Sequence, residues 1–212
     1  MEATLIEVHH LNNSRSQRVL WLLEELGLDY QLVRYQRDPS TMLAPPELRT
    51  VHKLGKSPVI RDGSLVLAES GAILQYLVDR YGEARLMPGR DTPEYVRYLY
   101  WMHYAEGSLM PPMLLKLVLN RLGILGLPAR GYVKRQLKLH LDFLEGELAH
   151  GPYFVGEQFT AADIQMSYPL EAAAARAGLN ASFPRLYDLL GRLHSRAAYQ
   201  RALEKGGPFD LS

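Results

Sequence analysis

A change of period constrains this chain more than any other feature. Through the first 82 residues, short apolar or β-branched runs alternate with segments of helical spacing. Beyond residue 91 only the helical period recurs. Thr4-Leu5-Ile6-Glu7-Val8-His9 reads as a strand. Asn12-Asn13-Ser14 is a loop and helix start, after which Val19, Leu22, Leu23 and Leu26 fall at helical spacing and Gly27 stands where a helix-ending glycine belongs. Tyr30 to Tyr35 is a second strand, and Pro45-Pro46-Glu47 opens a short helix to about Val51. Pro58 to Ile60 is a third strand, Asp62-Gly63 a hairpin signal, and Leu65-Val66-Leu67 the returning strand. Ala72 to Tyr81 is a helix closed by Gly82. The order β-α-β-α-β-β-α predicts a mixed sheet with helices on its faces.

Residues 84–91, with Pro88-Gly89 among them, read as a linker. Thr92-Pro93-Glu94 then supplies a cap, a first-position proline and a first-turn acid. The helix it opens runs to about Met110, where Pro111-Pro112 is expected to kink or break it. Leu137, Leu141, Leu144 and Leu148 form one face of a long helix that stops near Gly151. Thr160-Ala161-Ala162-Asp163 is a capping box with Asp in the usual Glu or Gln place, flanked by Phe159 and Ile164 at hydrophobic-staple positions. Further helices begin at Pro184 and run through the Tyr199 region. The expected division is an α/β domain over 1–83, a linker over 84–91 and an all-α domain over 92–212, with 212 residues sufficient for two small cores.

Composition excludes several classes of function. Net charge is +1 and no basic stripe stands out, so no nucleic-acid partner is expected. No uninterrupted apolar segment is long enough to span a bilayer, and Met1-Glu2-Ala3-Thr4 has neither the charge nor the apolar run of a secretory signal. A cytoplasmic protein is the expectation. The chain has no cysteine, which removes disulfides, thiolate metal sites and catalysis by a thiol of its own. His9 and His10, adjacent on a strand, face opposite ways and suit no shared metal. No metal site is expected.

The stretch from Gly55 to Tyr76 carries the binding chemistry. Ser70 stands as N-cap of the following helix, whose first N–H groups lack internal partners and favour a negative charge. A ligand carboxylate fits there, and Glu69 suits a ligand ammonium; one group carrying both is an α-amino-acid head. Ser70 capping only its own helix is the alternative. Ser57-Pro58 starts a strand at an edge, and in the cis form the Ser57 backbone could pair with an extended peptide; a trans edge proline is the ordinary case. Ser14-Arg15-Ser16-Gln17 fits a capping box, with Ser16 a second candidate cap, and a hydroxyl at that helix start could donate to a ligand thiolate.

Together these elements resemble the soluble glutathione transferases, closest to serine-type bacterial and fungal members. The resemblance covers essentially the whole chain. It is carried by Asn12-Asn13-Ser14-Arg15-Ser16-Gln17-Arg18, Lys56-Ser57-Pro58-Val59-Ile60, Glu69-Ser70-Gly71-Ala72-Ile73, Phe159-Thr160-Ala161-Ala162-Asp163-Ile164 and Arg196-Ala197-Ala198-Tyr199. It implies a thioredoxin-like N-terminal domain, an all-helical C-terminal domain, a homodimer, and glutathione as co-substrate. By resemblance Pro58 is a cis proline, the Ser57 backbone pairs with the cysteinyl unit, Glu69 and Ser70 hold the γ-glutamyl head, and Lys56 reaches the glycyl carboxylate. Ser14 stabilises the thiolate, with Asn12, Asn13 or Arg15 as alternatives. His103, Tyr104, Met110 and Met113, near the proline pair, are candidates to line the pocket for a small electrophile; ordinary helix packing is the competing reading of each. The implied activity is conjugation of the thiolate to that electrophile. The alternatives are glutathione-dependent peroxide reduction, which needs no protein cysteine, and a non-catalytic interaction module on the same fold.

Overall fold

The computed structural model describes residues 5–211. It forms two compact units, one of Met1–Leu86 with His194–Asp210 and one of Met87–Leu193 with Leu211–Ser212. Met1 to Thr4, which bear the argument about a leader and the start of the first strand, lie outside the described residues.

The first unit is thioredoxin-like. Strands β1 (Ile6–Leu11), β2 (Tyr30–Tyr35), β3 (Val59–Asp62) and β4 (Leu65–Ala68) form one sheet in the order β2-β1-β3-β4. β1 runs parallel to β2, pairing Ile6 with Tyr30 through Leu11 with Tyr35. It runs antiparallel to β3, with Val8 opposite Ile60 and His9 opposite Val59. β3 and β4 form the hairpin foreseen at Asp62-Gly63, with Asp62 paired to Leu65 and Gly63 at φ 58°. β1 extends to Leu11, two residues beyond the expected His9, because His9 and His10 are both buried in the sheet rather than ending it.

Helix α1 (Ser16–Leu26) is almost wholly buried and ends on Gly27 at φ 70°, the left-handed conformation that glycine adopts without a Cβ clash. The short α2 (Leu48–Val51) and α3 (Ser70–Tyr81) complete the expected order. The last helix, α9 (Ala197–Gly206), also belongs to this unit, so the sequence reading that places all of 92–212 in the helical domain differs from the structure here. The reason lies in α1. Tyr199 packs edge-on against Trp21, and Arg196 holds Glu25 at 2.6 Å while Arg201 and Lys205 hold Glu24 at 2.9 and 2.6 Å. Gly206 closes the contact: a Cβ there would lie 2.8 Å from Gln17 and 2.9 Å from Leu20.

The second unit is wholly helical among the described residues. α4 (Pro93–Tyr104) passes through one π turn, Ala105–Leu109, into α5 (Met110–Arg121). Of the kink or break expected at Pro111-Pro112, the break is absent, and the helix is distorted instead by the π turn just before the pair. The prolines lie in the first turn of α5, directly after the widened turn, a place where the regular ladder of helix hydrogen bonds is already interrupted. α6 (Leu127–Glu147) turns Val133, Leu137, Leu141 and Leu144 inward. α7 (Ala161–Arg176) is the buried centre, opened by the foreseen capping box, and α8 (Pro184–His194) buries Leu186, Leu189, Leu190 and Leu193. No helix among the described residues is long and apolar enough to cross a membrane.

Candidate functional site

The end of β1 fixes the loop that carries Ser14. The Leu11 N–H donates to both Ser16 Oγ and Ser57 Oγ, each at 3.2 Å, and Ser57 Oγ donates to the His9 carbonyl at 2.8 Å. Ser14 Oγ lies 2.8 Å from Ser16 Oγ and accepts from the Ser16 N–H at 3.2 Å. The expected capping box with Gln17 does not form: α1 begins at Ser16, and no side chain caps it. With two hydroxyls competing two residues apart, both are drawn into the buried network instead. Arg37 clamps the loop from outside, donating to the carbonyls of Asn12 and Asn13 at 3.2 Å each. The Asn12 and Asn13 side-chain oxygens accept from the backbone of Arg37 and Asp210, which ties both carboxamides into the scaffold. Asn13 takes φ 50°, a left-handed conformation that asparagine tolerates.

The network ends on His10, which the sequence reading considers only as a metal ligand. Its Nδ1 lies 2.8 Å from Ser16 Oγ, and its Nε2 lies 3.1 Å from the Gly206 carbonyl. A carbonyl can only accept, so Nε2 carries the proton and Nδ1 accepts from Ser16. Burial pushes the imidazole pKa down to about 4. The native state therefore resists a proton that the unfolded chain takes up near pH 6.5. Stability supplied by neutral His10 is complete above pH 6.5 and is lost as pH falls toward 4, by about 3 kcal/mol. Buried Asp163, pushed up to about 6, has the opposite slope over the same range. The expected result is thus a difference: urea titrations of His10→Gln from pH 7 to pH 4 lose less stability than wild type. Equal losses would show that His10 does not titrate in this way.

The remaining candidates gather on β3, β4 and α3 of the same unit. The Ser57–Pro58 peptide bond is cis, and Pro58 is buried at the start of β3. Lys56 is exposed one residue before Ser57. Ser70 is not the N-cap but the first residue of α3; Glu69 takes the cap position at φ 70°, ψ 111° without a side-chain cap bond. Ser70 lies one residue inside the cap position, and its hydroxyl accepts from Arg18 Nη2 at 2.7 Å. Arg18, almost fully buried on α1, brings a guanidinium to the N-terminal end of α3, where the helix dipole already favours an anion. Sequence reasoning does not single out Arg18, although a cation amid an apolar helical run is itself a signal. The non-glycine φ at Glu69 costs of the order of 1–3 kcal/mol and leaves its side chain exposed beside that end.

The four pocket candidates belong to the helical unit. His103 is exposed, whereas Tyr104, Met110 and Met113 are buried. Tyr104 sits in an aromatic cluster with Tyr100, Trp101 and Phe143, its hydroxyl 2.5 Å from His140 Nδ1, and burial raises its pKa. Among the described residues no cluster of His, Asp or Glu is arranged to hold a metal ion.

Comparisons with known proteins agree with this geometry. Residues 3–79 match the glutathione S-transferase N-terminal domain, and residues 129–192 match the glutathione S-transferase C-terminal domain. Glutathione S-transferase 1 of Saccharomyces cerevisiae is 32% identical over 97% of each chain, and glutathione S-transferase 3 of Schizosaccharomyces pombe is 38% identical over 80% of this chain and 74% of its own length. A crystal structure of a glutathione S-transferase from Actinobacillus pleuropneumoniae superimposes with a TM-score of 0.89 at 41% identity, covering 98% of this chain and 95% of that one. The chain belongs to the glutathione S-transferase family, enzymes with glutathione as co-substrate.

Proposed function

We propose that this enzyme conjugates the glutathione thiolate to small electrophiles, with Ser14 as the thiolate's hydrogen-bond donor. The observation that carries the reading is the Leu11 N–H, which fixes Ser57 and the Ser14–Ser16 pair to one atom. In this reading the Ser57 backbone, beside the cis Pro58, receives the cysteinyl unit as an added strand would. Ser70, Arg18 and the α3 N-terminus take the γ-glutamyl carboxylate; Glu69 takes its ammonium and Lys56 the glycyl carboxylate. The Ser14 proton turns from Ser16 toward the sulfur. Lowering the bound thiol's pKa by about 2 from its usual ~8.5 corresponds to about 2.7 kcal/mol. A hydroxyl bond to an anion at a helix start is of that size. The thiol proton passes to solvent, the sulfur bonds to the electrophilic carbon, and the leaving group departs with the electron pair of its bond.

The electrophile is assigned to the helical unit, to the segment that bears His103, Tyr104, Met110 and Met113. The alternating exposure along it makes His103 the weakest of the four assignments. A homodimer, a cytoplasmic setting and a detoxifying role complete the proposal; a mass in sedimentation that stays monomeric at all concentrations would remove the dimer. The decisive assay is glutathione-dependent turnover of a chloronitrobenzene within a broad electrophile panel. Saturable turnover is expected, and none above background on any member would overturn the activity.

A further inference from the structure

Between Glu47 and Asp62 the chain carries Arg49, Lys53, Lys56 and Arg61 and no Asp or Glu. The run spans the short α2, the turn after it and β3, so packing decides whether these charges are neutralised. Elsewhere in the same unit long cations meet acids: Arg196 holds Glu25, and Arg201 and Lys205 hold Glu24. Arg61 lies 3.9 Å from Glu7 across the sheet. Arg49, Lys53 and Lys56 are exposed, and among the described residues none of the three has a carboxylate partner.

The turn draws Arg49 toward Lys56. The Gly55 N–H donates to the His52 carbonyl at 2.8 Å, and Gly55 takes φ 57°. Arg49 crosses this residue so closely that a Cβ on it would lie 2.7 Å from Arg49 Cγ and 3.5 Å from Arg49 Nε. Arg49 therefore runs alongside the backbone next to Lys56, and Lys53 stands on the same turn. His52 Nδ1, also in the turn, is buried without a hydrogen-bond partner, so the turn's own polar groups do not satisfy one another. A glycyl carboxylate carries one charge. Held by Lys56, it leaves the two neighbouring cations without an acid.

We propose that this enzyme also takes, and prefers, a thiol peptide with a second carboxylate on its C-terminal residue, as in γ-glutamyl-cysteinyl-glutamate. Lys56 meets the main-chain carboxylate; Arg49 and Lys53 meet the side-chain one. The inference rests on the glutathione reading above and extends it from a monoacid to a diacid C-terminal residue. Glutathione itself engages neither Arg49 nor Lys53. An exposed ion pair contributes a factor of roughly 1.4–5 in affinity, so two such pairs should give about fivefold. Full-length protein is assayed with the chloronitrobenzene and three peptides: glutathione, γ-glutamyl-cysteinyl-glutamate and its neutral isostere γ-glutamyl-cysteinyl-glutamine. Calorimetry gives Kd for each.

The glutamate peptide should show KM and Kd about fivefold below those of the glutamine peptide, with equal kcat. The gap should fall below twofold in 0.5 M NaCl, where the screening length is about 4 Å. Arg49→Gln with Lys53→Gln should close it equally, with the melting temperature and the kinetics of glutathione as in wild type. Three results would overturn the inference: equal Kd for the two peptides, a gap indifferent to salt, or a gap that survives the double substitution. Each of these, found with glutathione turned over normally, strikes the second carboxylate alone. Failure of glutathione to bind or react would instead remove the reading beneath it, and the inference with it.

Discussion

Replacing Ser14 by alanine is expected to lower kcat/KM for conjugation by about 10–100-fold at pH 6.5, the loss of one hydrogen bond to an anion. The deficit should shrink to a few-fold by pH 9.5. Above about 8.5 a thiol ionises without help, so the hydroxyl's contribution to the thiolate population disappears. Glutathione affinity should change less than threefold, because Ser57, Glu69 and Ser70 remain. That combination separates thiolate stabilisation from damage to the loop. Arg37 clamps the loop carbonyls independently of Ser14, so the scaffold survives the substitution. A pH–rate profile of Ser14→Ala parallel to wild type would exclude Ser14 as the donor and point to an Asn12 or Asn13 amide N–H, or to Arg15.

The largest effect on stability is expected at Asp163. Its carboxylate is fully buried and accepts from Phe154 N at 3.0 Å, Thr160 N at 2.9 Å and Thr160 Oγ1 at 3.2 Å. Burial raises its pKa to about 6 and these donors oppose the rise, so the group is ionised at neutral pH. Asp163→Ala strands two buried backbone N–H groups and removes half of the box, a loss of about 3–5 kcal/mol. The melting temperature should fall by about 10 °C. Asp163→Asn keeps one acceptor and should lose about half as much. Well below the transition, the pH–rate profile of conjugation should be that of wild type, since Asp163 performs no chemistry. A melting temperature within 2–3 °C of wild type for the alanine variant would show that the box is not a keystone.

These two residues illustrate what a sequence discloses. The Thr160–Asp163 box is legible because all its partners lie within a few residues, apart from Phe154. The Asp62-Gly63 hairpin and the Gly27 helix end are legible for the same reason: backbone conformation there is dictated by the residue itself. Ser14 and Ser70 read from local pattern as caps of the helices at whose starts they stand. The Ser14 hydroxyl bonds instead to Ser16, the rival cap two residues on, and Ser70 accepts from Arg18, a partner 52 residues away that local pattern cannot reveal. His10 reads as half of an unsuitable metal pair because its partners, Ser16 and Gly206, include one 196 residues away. The π turn at Ala105–Leu109 leaves no mark in composition, so Pro111-Pro112 reads as a kink or break where the helix runs on through a widened turn.

The return of α9 to the first unit has a consequence for how the protein is made. A chain emerging from the ribosome folds domain by domain, earliest residues first. Here Trp21, Glu24, Glu25 and His10 wait for Tyr199, Arg201, Arg196 and Gly206. The nascent α/β unit thus exposes one flank of α1 until α9 has been translated. A ribosome stalled anywhere in the helical segment would leave the first unit open.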